Sequence, residues 1–222
     1  MANILILGAS RGIGLEFARQ YADAGHRVIA TARYAAGLAR LSTLGAEPLK
    51  LDVADPASIS GLAWQLDGEK IHVALYVAGL YSQGGATTPP TQQDFDRVMH
   101  TNVLGAMQAI PQVAPLVEEG EGVFAFITSG MGQTSSVASS DAWTYRVSKA
   151  ALNMAVAAAQ HDYPRATLLA LCPGWVQTDM GGPGASLTVQ NSVTAMRRTL
   201  AAITPADRGR YLHHDGRPYA GW

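Results

Sequence analysis

Cysteine is almost missing from this chain: Cys172 is the only one in 222 residues. That excludes an internal disulfide framework and fits a reducing compartment. Charge is scarce as well, at 15% Asp, Glu, Lys and Arg with a formal net charge of −1. There is no basic block, so nucleic acid is not an expected partner. No apolar run approaches the roughly 18 residues of a membrane span, and Met1–Gly8 lacks the basic start and apolar length of a secretory signal. A soluble chain in the cytoplasm is the expectation. Ligand spacing is also lacking among the histidines. His213 and His214 are neighbours in a short strand and point to opposite faces. His26, His72, His100 and His161 stand apart, so no metal is expected. Cys172, at a strand end, reads as a small core residue rather than a nucleophile.

Apolar residues are plentiful, at 48%, and a chain of this length can bury most of what it exposes when unfolded. Ile4-Leu5-Ile6-Leu7 is a continuous apolar run, the pattern of a strand buried on both faces of a parallel sheet. It stops at Gly8-Ala-Ser10-Arg11-Gly12-Ile13-Gly14, after which Phe17, Ala18, Tyr21 and Ala22 mark a helix. A strand, a glycine turn and a helix aim unpaired backbone N–H groups at a phosphate, so dinucleotide binding is expected here. Arg27–Thr31 is a second strand with Arg33 just beyond it. An acid roughly 20 residues after the glycines would take a ribose 2′-OH. Arg33 stands there instead, and Arg11 projects from the turn. Two guanidinium groups beside one ribose suit a 2′-phosphate, which favours NADP(H) over NAD(H).

Alternation continues down the chain. Leu49–Leu51 reads as a short third strand ending at Asp52. Asp55-Pro56 opens a helix with the stripe Ile59, Leu62, Ala63, Leu66. Ile71–Val77 is a fourth strand, and 81–91 is loop. Phe95, Val98, Met99, Asn102, Val103, Ala106, Met107 and Ile110 share one helical face, which Pro111 and Pro115 should kink or end. Asn102 is the polar intruder on that face, and it must tie down backbone or hold a water. Val123–Ile127 is a fifth strand with Thr128-Ser129-Gly130 at its carboxyl end, where open α/β sheets bind ligands. Thr167–Leu171 is a sixth, 188–203 a helix, and Gly209–His214 a last short strand. With no linker or internal repeat, one doubly wound α/β domain over residues 1–222 is expected, a parallel sheet of about seven strands with helices on both faces.

Residues 141–159 carry the chemistry. This helix puts Tyr145 and Lys149 one turn apart on one face. A phenol titrates near ~10. An adjacent ammonium can pull that value down toward the range where general acid–base catalysis works. A second face, with Val147, Ala150, Ala151, Met154, Ala155 and Ala158, is apolar and small, and it should pack on a partner subunit through the helix at 95–110, giving a homodimer or a homotetramer. Trp143 and Trp175 border the expected pocket.

Taken together, these pieces resemble the short-chain dehydrogenase/reductase family over essentially the whole length. Gly8-x3-Gly12-Ile13-Gly14 looks like that family's cofactor turn, and Asp52-Val53 like its adenine-contacting pair. Asn102, Ser129, Tyr145 and Lys149 fall in the order of its catalytic tetrad, and Pro173-Gly174-x-Val176-x-Thr178 matches its nicotinamide loop. Within the family the chain is most similar to the compact C-factor-like branch, through residues 173–184 and the closing Asp215-Gly-Arg-Pro-Tyr-Ala-Gly-Trp222. The resemblance implies a Rossmann-type carbonyl reductase or alcohol dehydrogenase using NADPH. Tyr145 would hand a proton to the substrate oxygen and Ser129 would hydrogen-bond it. Lys149 would hold the ribose and Asn102 a water. A regulatory, nucleotide-binding role on the same scaffold is the alternative. A carbohydrate epimerase of related fold would need a larger substrate region. Two departures stand out. Tyr76-Val77-Ala78-Gly79 replaces the usual Asn-Asn-Ala-Gly, which removes a bracing amide but leaves Ala78 and Gly79 beside the ribose. The interval from Ser129 to Tyr145 is also a few residues longer than usual.

Overall fold

A computed structural model describes residues 1–222. β1 (Asn3–Leu7), β2 (Arg27–Ala32), β3 (Glu47–Lys50), β4 (Val73–Tyr76), β5 (Val123–Ile127), β6 (Thr167–Cys172) and β7 (Tyr211–His213) form one sheet. Its order is β3-β2-β1-β4-β5-β6-β7, and every neighbouring pair is parallel. The continuous apolar strands follow from the two layers that cover it. Leu5 and Leu7 point to the core shared with Tyr76, Ile110, Phe124 and Leu152. Ile4 and Ile6 point to the opposite core, with Phe17, Val193 and Met196. Each such side chain contributes roughly 1.5–3 kcal/mol by leaving water.

Helices α1 (Gly12–Asp23), α2 (Ala35–Thr43) and α8 (Val189–Ala202) belong to the second layer, and α6 (Gly105–Glu119) and α7 (Trp143–Ala159) to the first. Several boundaries differ from the sequence reading. β3 lies two residues earlier than its apolar run, because its pairing with β2 begins at Glu47. The stripe after Asp55 is two short helices, α3 (Pro56–Ser60) and α4 (Leu62–Gln65), separated at Gly61. Asp55 does cap α3, its carboxylate accepting from Ala57 N–H at 3.0 Å.

The largest departure is in the helix expected at 95–110. It runs as α5 (Gln92–Met99), then a π-helical turn (His100–Leu104), then α6. Neither proline ends it. Pro111 and Pro115 lie inside α6, four apart and both on its exposed side. The carbonyls their missing N–H groups would have bonded therefore face water, which removes most of the usual penalty. The π-turn puts Asn102 deep inside, at 0% exposure.

The carboxyl ends of β1, β4, β5 and β6 open on a single edge, where chain order reverses between β1 and β4. Crevices for ligands form at this switch point.

Candidate active site

A cleft of about 590 Å³ runs along that edge. Gly8, Ser10, Arg11, Gly12, Ile13, Arg33, Asp52, Val53, Ala78, Gly79, Tyr145, Lys149, Pro173 and Thr178 all line it. Gly14, Gly174 and Val176 stand just behind. Gly8 has φ +93°, open to glycine, and a Cβ there would lie 2.7 Å from Ala78 N. On Gly14 a Cβ would lie 2.2 Å from the Gly8 carbonyl oxygen. Helix α1 thus approaches β1 as closely as backbone permits, and its N-terminus opens on the cleft. Such a turn fits a pyrophosphate.

The arginines divide. Arg11 reaches across the cleft to Asp179, Nη1 to Oδ2 at 2.9 Å, both well exposed. Arg33 sits 4.0 Å from Asp52. A third guanidinium, Arg40 on α2, lines the same end and donates to the Ser10 carbonyl at 2.8 Å. Arg40 escapes a sequence reading that leaves 34–46 unassigned. Asp52 makes a local turn, its Oδ1 accepting from Ala54 N–H at 3.0 Å.

At the other end α7 delivers Tyr145 and Lys149, 6% and 3% exposed. Lys149 Nζ donates to the Ile127 carbonyl at 2.8 Å and lies 5.7 Å from the Tyr145 ring centre. The expected depression of the phenol pKa is not what the chain alone produces. Burial pushes Tyr145 up to about 12, and the neighbouring Ser129 hydroxyl, which itself accepts from Met131 N–H at 3.2 Å, works in the opposite direction without prevailing. Burial also lowers Lys149 to about 8. The cause in both cases is desolvation of the charged form.

Asn102 binds protein on every side it presents. Its Oδ1 accepts from Leu80 N–H at 2.7 Å, and Nδ2 donates to the Leu80 carbonyl at 2.8 Å and to Ser148 Oγ at 2.9 Å. Ser148 in turn donates to the Tyr145 carbonyl at 2.7 Å. Of the two roles open to Asn102, its amide takes the first, tying the strand-β4 exit to the tyrosine helix. The bracing amide missing at position 76 has a successor as well. The Tyr76 hydroxyl, fully buried, donates to the Thr101 carbonyl at 2.7 Å, and Gly105 leaves room for it, since a Cβ there would lie 2.6 Å from that oxygen.

Sequence reasoning missed Tyr81, whose ring packs 5.1 Å from that of Tyr145. Its position two residues after Gly79 was the available signal. Trp143 lies elsewhere than expected. It lines a separate hollow of about 270 Å³ with Met131, Val137 and Val147 on the outer side of α7. Trp175 is exposed, its Nε1 donating to the Gly181 carbonyl at 2.8 Å. Of the loops 80–91, 130–142 and 180–188, the first and last each reach the cleft, through Leu80 and Met180. Together the three carry one charged residue, Asp141, and no Lys, Arg or His.

An all-parallel, doubly wound sheet with a glycine turn at its switch point and a Tyr–Lys helix beside it defines a Rossmann-type α/β protein. A family described as short chain dehydrogenase matches residues 2–186, and the chain belongs to it. It is 31% identical to 1-hydroxy-2-glutathionyl-2-methyl-3-butene dehydrogenase of Rhodococcus sp. (strain AD45), over 97% of this chain and 98% of that one. Similarity to C-signal of Myxococcus xanthus is 38% identity, over 55% of this chain and 76% of the other. Among solved structures, a short-chain dehydrogenase/reductase-like chain from Burkholderia multivorans with bound NADP superposes with a TM-score of 0.88 at 30% identity, covering 100% and 99%.

Proposed function

We propose that this oxidoreductase-family chain interconverts a carbonyl and an alcohol with NADP(H) as the preferred cofactor. The observation that carries the reading is Tyr145 and Lys149 at one end of a cleft whose other end holds the glycine turn, with Ser129 close enough to act on the Tyr145 phenol. The glycine turn would hold the pyrophosphate, Arg11, Arg33 and Arg40 the 2′-phosphate end, Asp52 and Val53 the adenine side, and Lys149 the nicotinamide ribose. Bound there, the dinucleotide supplies or accepts the hydride.

The chain's own residues do the rest. A phenol held near 12 keeps its proton throughout the physiological range, so Tyr145 is the proton donor to a carbonyl oxygen. Ser129, beside that phenol, would meet the same oxygen and steady its growing charge, a contribution of about 2.7–4 kcal/mol for one such donor. Asn102 fixes Leu80 and, through Ser148, the first turn of α7. The similarity to an NADP-bound structure and the arginine cluster support NADP(H).

Likeness to C-signal favours a second reading, a nucleotide-binding regulator, for which an intact Ser–Tyr–Lys set has no use. Titration with NADPH and NADH by nicotinamide fluorescence, followed by a screen of ketones and aldehydes, separates the two. Tight NADPH binding with turnover that falls about 10²-fold or more in Tyr145→Phe supports the reductase. Binding without turnover favours the regulator. The assembly belongs to the proposal too. Leu104, Met107, Val147 and Met154 are apolar and 38%, 52%, 43% and 68% exposed on adjoining parts of the π-turn, α6 and α7, a face suited to a second copy in a homodimer.

A further inference from the structure

The closing stretch Asp215–Trp222, distinctive in the sequence, has no part in the cofactor cleft. After β7 the chain turns at Asp215-Gly216 and runs back antiparallel, with His213 N–H donating to the Arg217 carbonyl at 2.8 Å and Tyr219 N–H to the Tyr211 carbonyl at 3.0 Å. This lays the Tyr219 ring between His213, at 3.7 Å, and Tyr211, at 3.8 Å. Trp222 stacks on Tyr211 at 5.9 Å.

The hairpin so formed grips one segment, the one that begins with Ser129. Tyr211 hydroxyl donates to the Ser129 carbonyl at 2.6 Å. Gly130 N–H donates to Cys172 Sγ at 3.1 Å, and the Tyr219 hydroxyl lies so close that a Cβ on Gly130 would be 3.0 Å from it. The Trp222 carbonyl accepts from Thr134 N–H at 2.9 Å, Ser135 N–H at 3.0 Å and Thr134 Oγ1 at 2.6 Å. Ser129 extends past the last β5 pairing; within its own turn its carbonyl also accepts from Gly132 N–H at 2.8 Å and its Oγ from Met131 N–H at 3.2 Å, and the hairpin adds a hold from the other side.

We propose that the 211–222 hairpin helps set the orientation of Ser129 by bracing its turn from outside, with Tyr211 as a positioning residue. The proposal rests on the reductase reading, in which that hydroxyl must meet the substrate oxygen. Tyr211 does not line the cofactor cleft. It holds the serine's carbonyl, and rotation of that peptide swings the hydroxyl away from Tyr145. An aromatic stack is a stiff mount for such a contact, since rings have few rotatable bonds.

Tyr211→Phe keeps the stack and deletes only the hydroxyl. The expected result is a kcat lower by about ten- to a hundredfold, the scale of an ångström-level misplacement, with NADPH affinity unchanged. In a Ser129→Ala background the same substitution should cost nothing further, because the group it positions is gone. Equal losses in both backgrounds, or no loss in the first, overturn the proposal. Amide hydrogen exchange supplies a test independent of turnover. Tyr211→Phe, or Tyr219→Phe if the former folds poorly, should speed exchange at Gly130, Thr134 and Ser135 and leave residues 12–15 untouched. Unchanged exchange at 130–135 refutes the positioning role. Failure of the wild type to reduce any carbonyl refutes the reductase reading instead, and the exchange result still decides the hairpin's hold.

Discussion

Lys149 is 3% exposed, has the Ile127 carbonyl as its hydrogen-bond acceptor, and has no carboxylate partner. Its ammonium is therefore a burden on the fold, visible as a value near 8 against an ordinary 10.5. Below pH 8 the folded and unfolded chains both carry the proton, and the folded state bears the full burial cost. Between about 8 and 10.5 the folded chain releases it first, and the cost is relieved. Lys149→Met should accordingly melt higher at pH 7, by about 2–4 °C for each kcal/mol recovered, and the advantage should shrink as pH rises through that window. Scanning calorimetry at pH 7 and pH 10 checks this, and NADPH binding should weaken in the same variant. Tyr76 gives the opposite case. Tyr76→Phe leaves the Thr101 carbonyl buried without its donor, at about 1–3 kcal/mol, readable as a lower urea midpoint. The Tyr145–Lys149 spacing was legible from the sequence because helical geometry alone fixes it. The burial that governs both pKa values was not, since it depends on every element packed around them. Position 76 likewise showed a lost amide, while its hydroxyl's partner lies 25 residues away across a turn no periodicity announces.

Elements were legible wherever one face or both faces are buried uniformly. β1, β5 and β6 are apolar at nearly every position, and α7 and α8 follow their stripes to within two residues. The errors cluster where local rules compete with tertiary contacts. Proline at 111 and 115 argues against helix continuation, yet solvent on that side of α6 satisfies the freed carbonyls. The π-turn keeps the apolar face almost in phase and so hides inside a helical pattern. In the glycine turn, close approach is the controlling fact. Gly14→Ala would set a methyl 2.2 Å from the Gly8 carbonyl oxygen, forcing α1 away from β1. NADPH affinity in that variant should fall at least about tenfold by fluorescence titration, an effect expected where the backbone itself must approach the pyrophosphate.

At the scale of the molecule, Leu104, Met107, Val147 and Met154 stand exposed on α7 and its neighbours, the face proposed above for a second copy. Met154→Asp, placed where 68% of the residue is exposed, should leave the fold intact and lower the sedimenting mass of a dimer to that of a monomer. The two ends of the cleft differ as sharply in charge as the two sides of α7 do in polarity. Arg11, Arg33 and Arg40 stand at one end, and at the other Lys149 is the one lining cation, beside loops that carry none. A carboxylate or phosphate entering there would give up its hydration shell and find no counter-ion in the loops, the nearly buried Lys149 ammonium being the one cation at that end. Under the proposed reductase reading, loops without cations should favour neutral carbonyl compounds over anionic ones. A methyl ester should surpass its free keto acid in kcat/KM by at least about tenfold, and a preference for the acid would mean that a cation reaches the site from outside these loops.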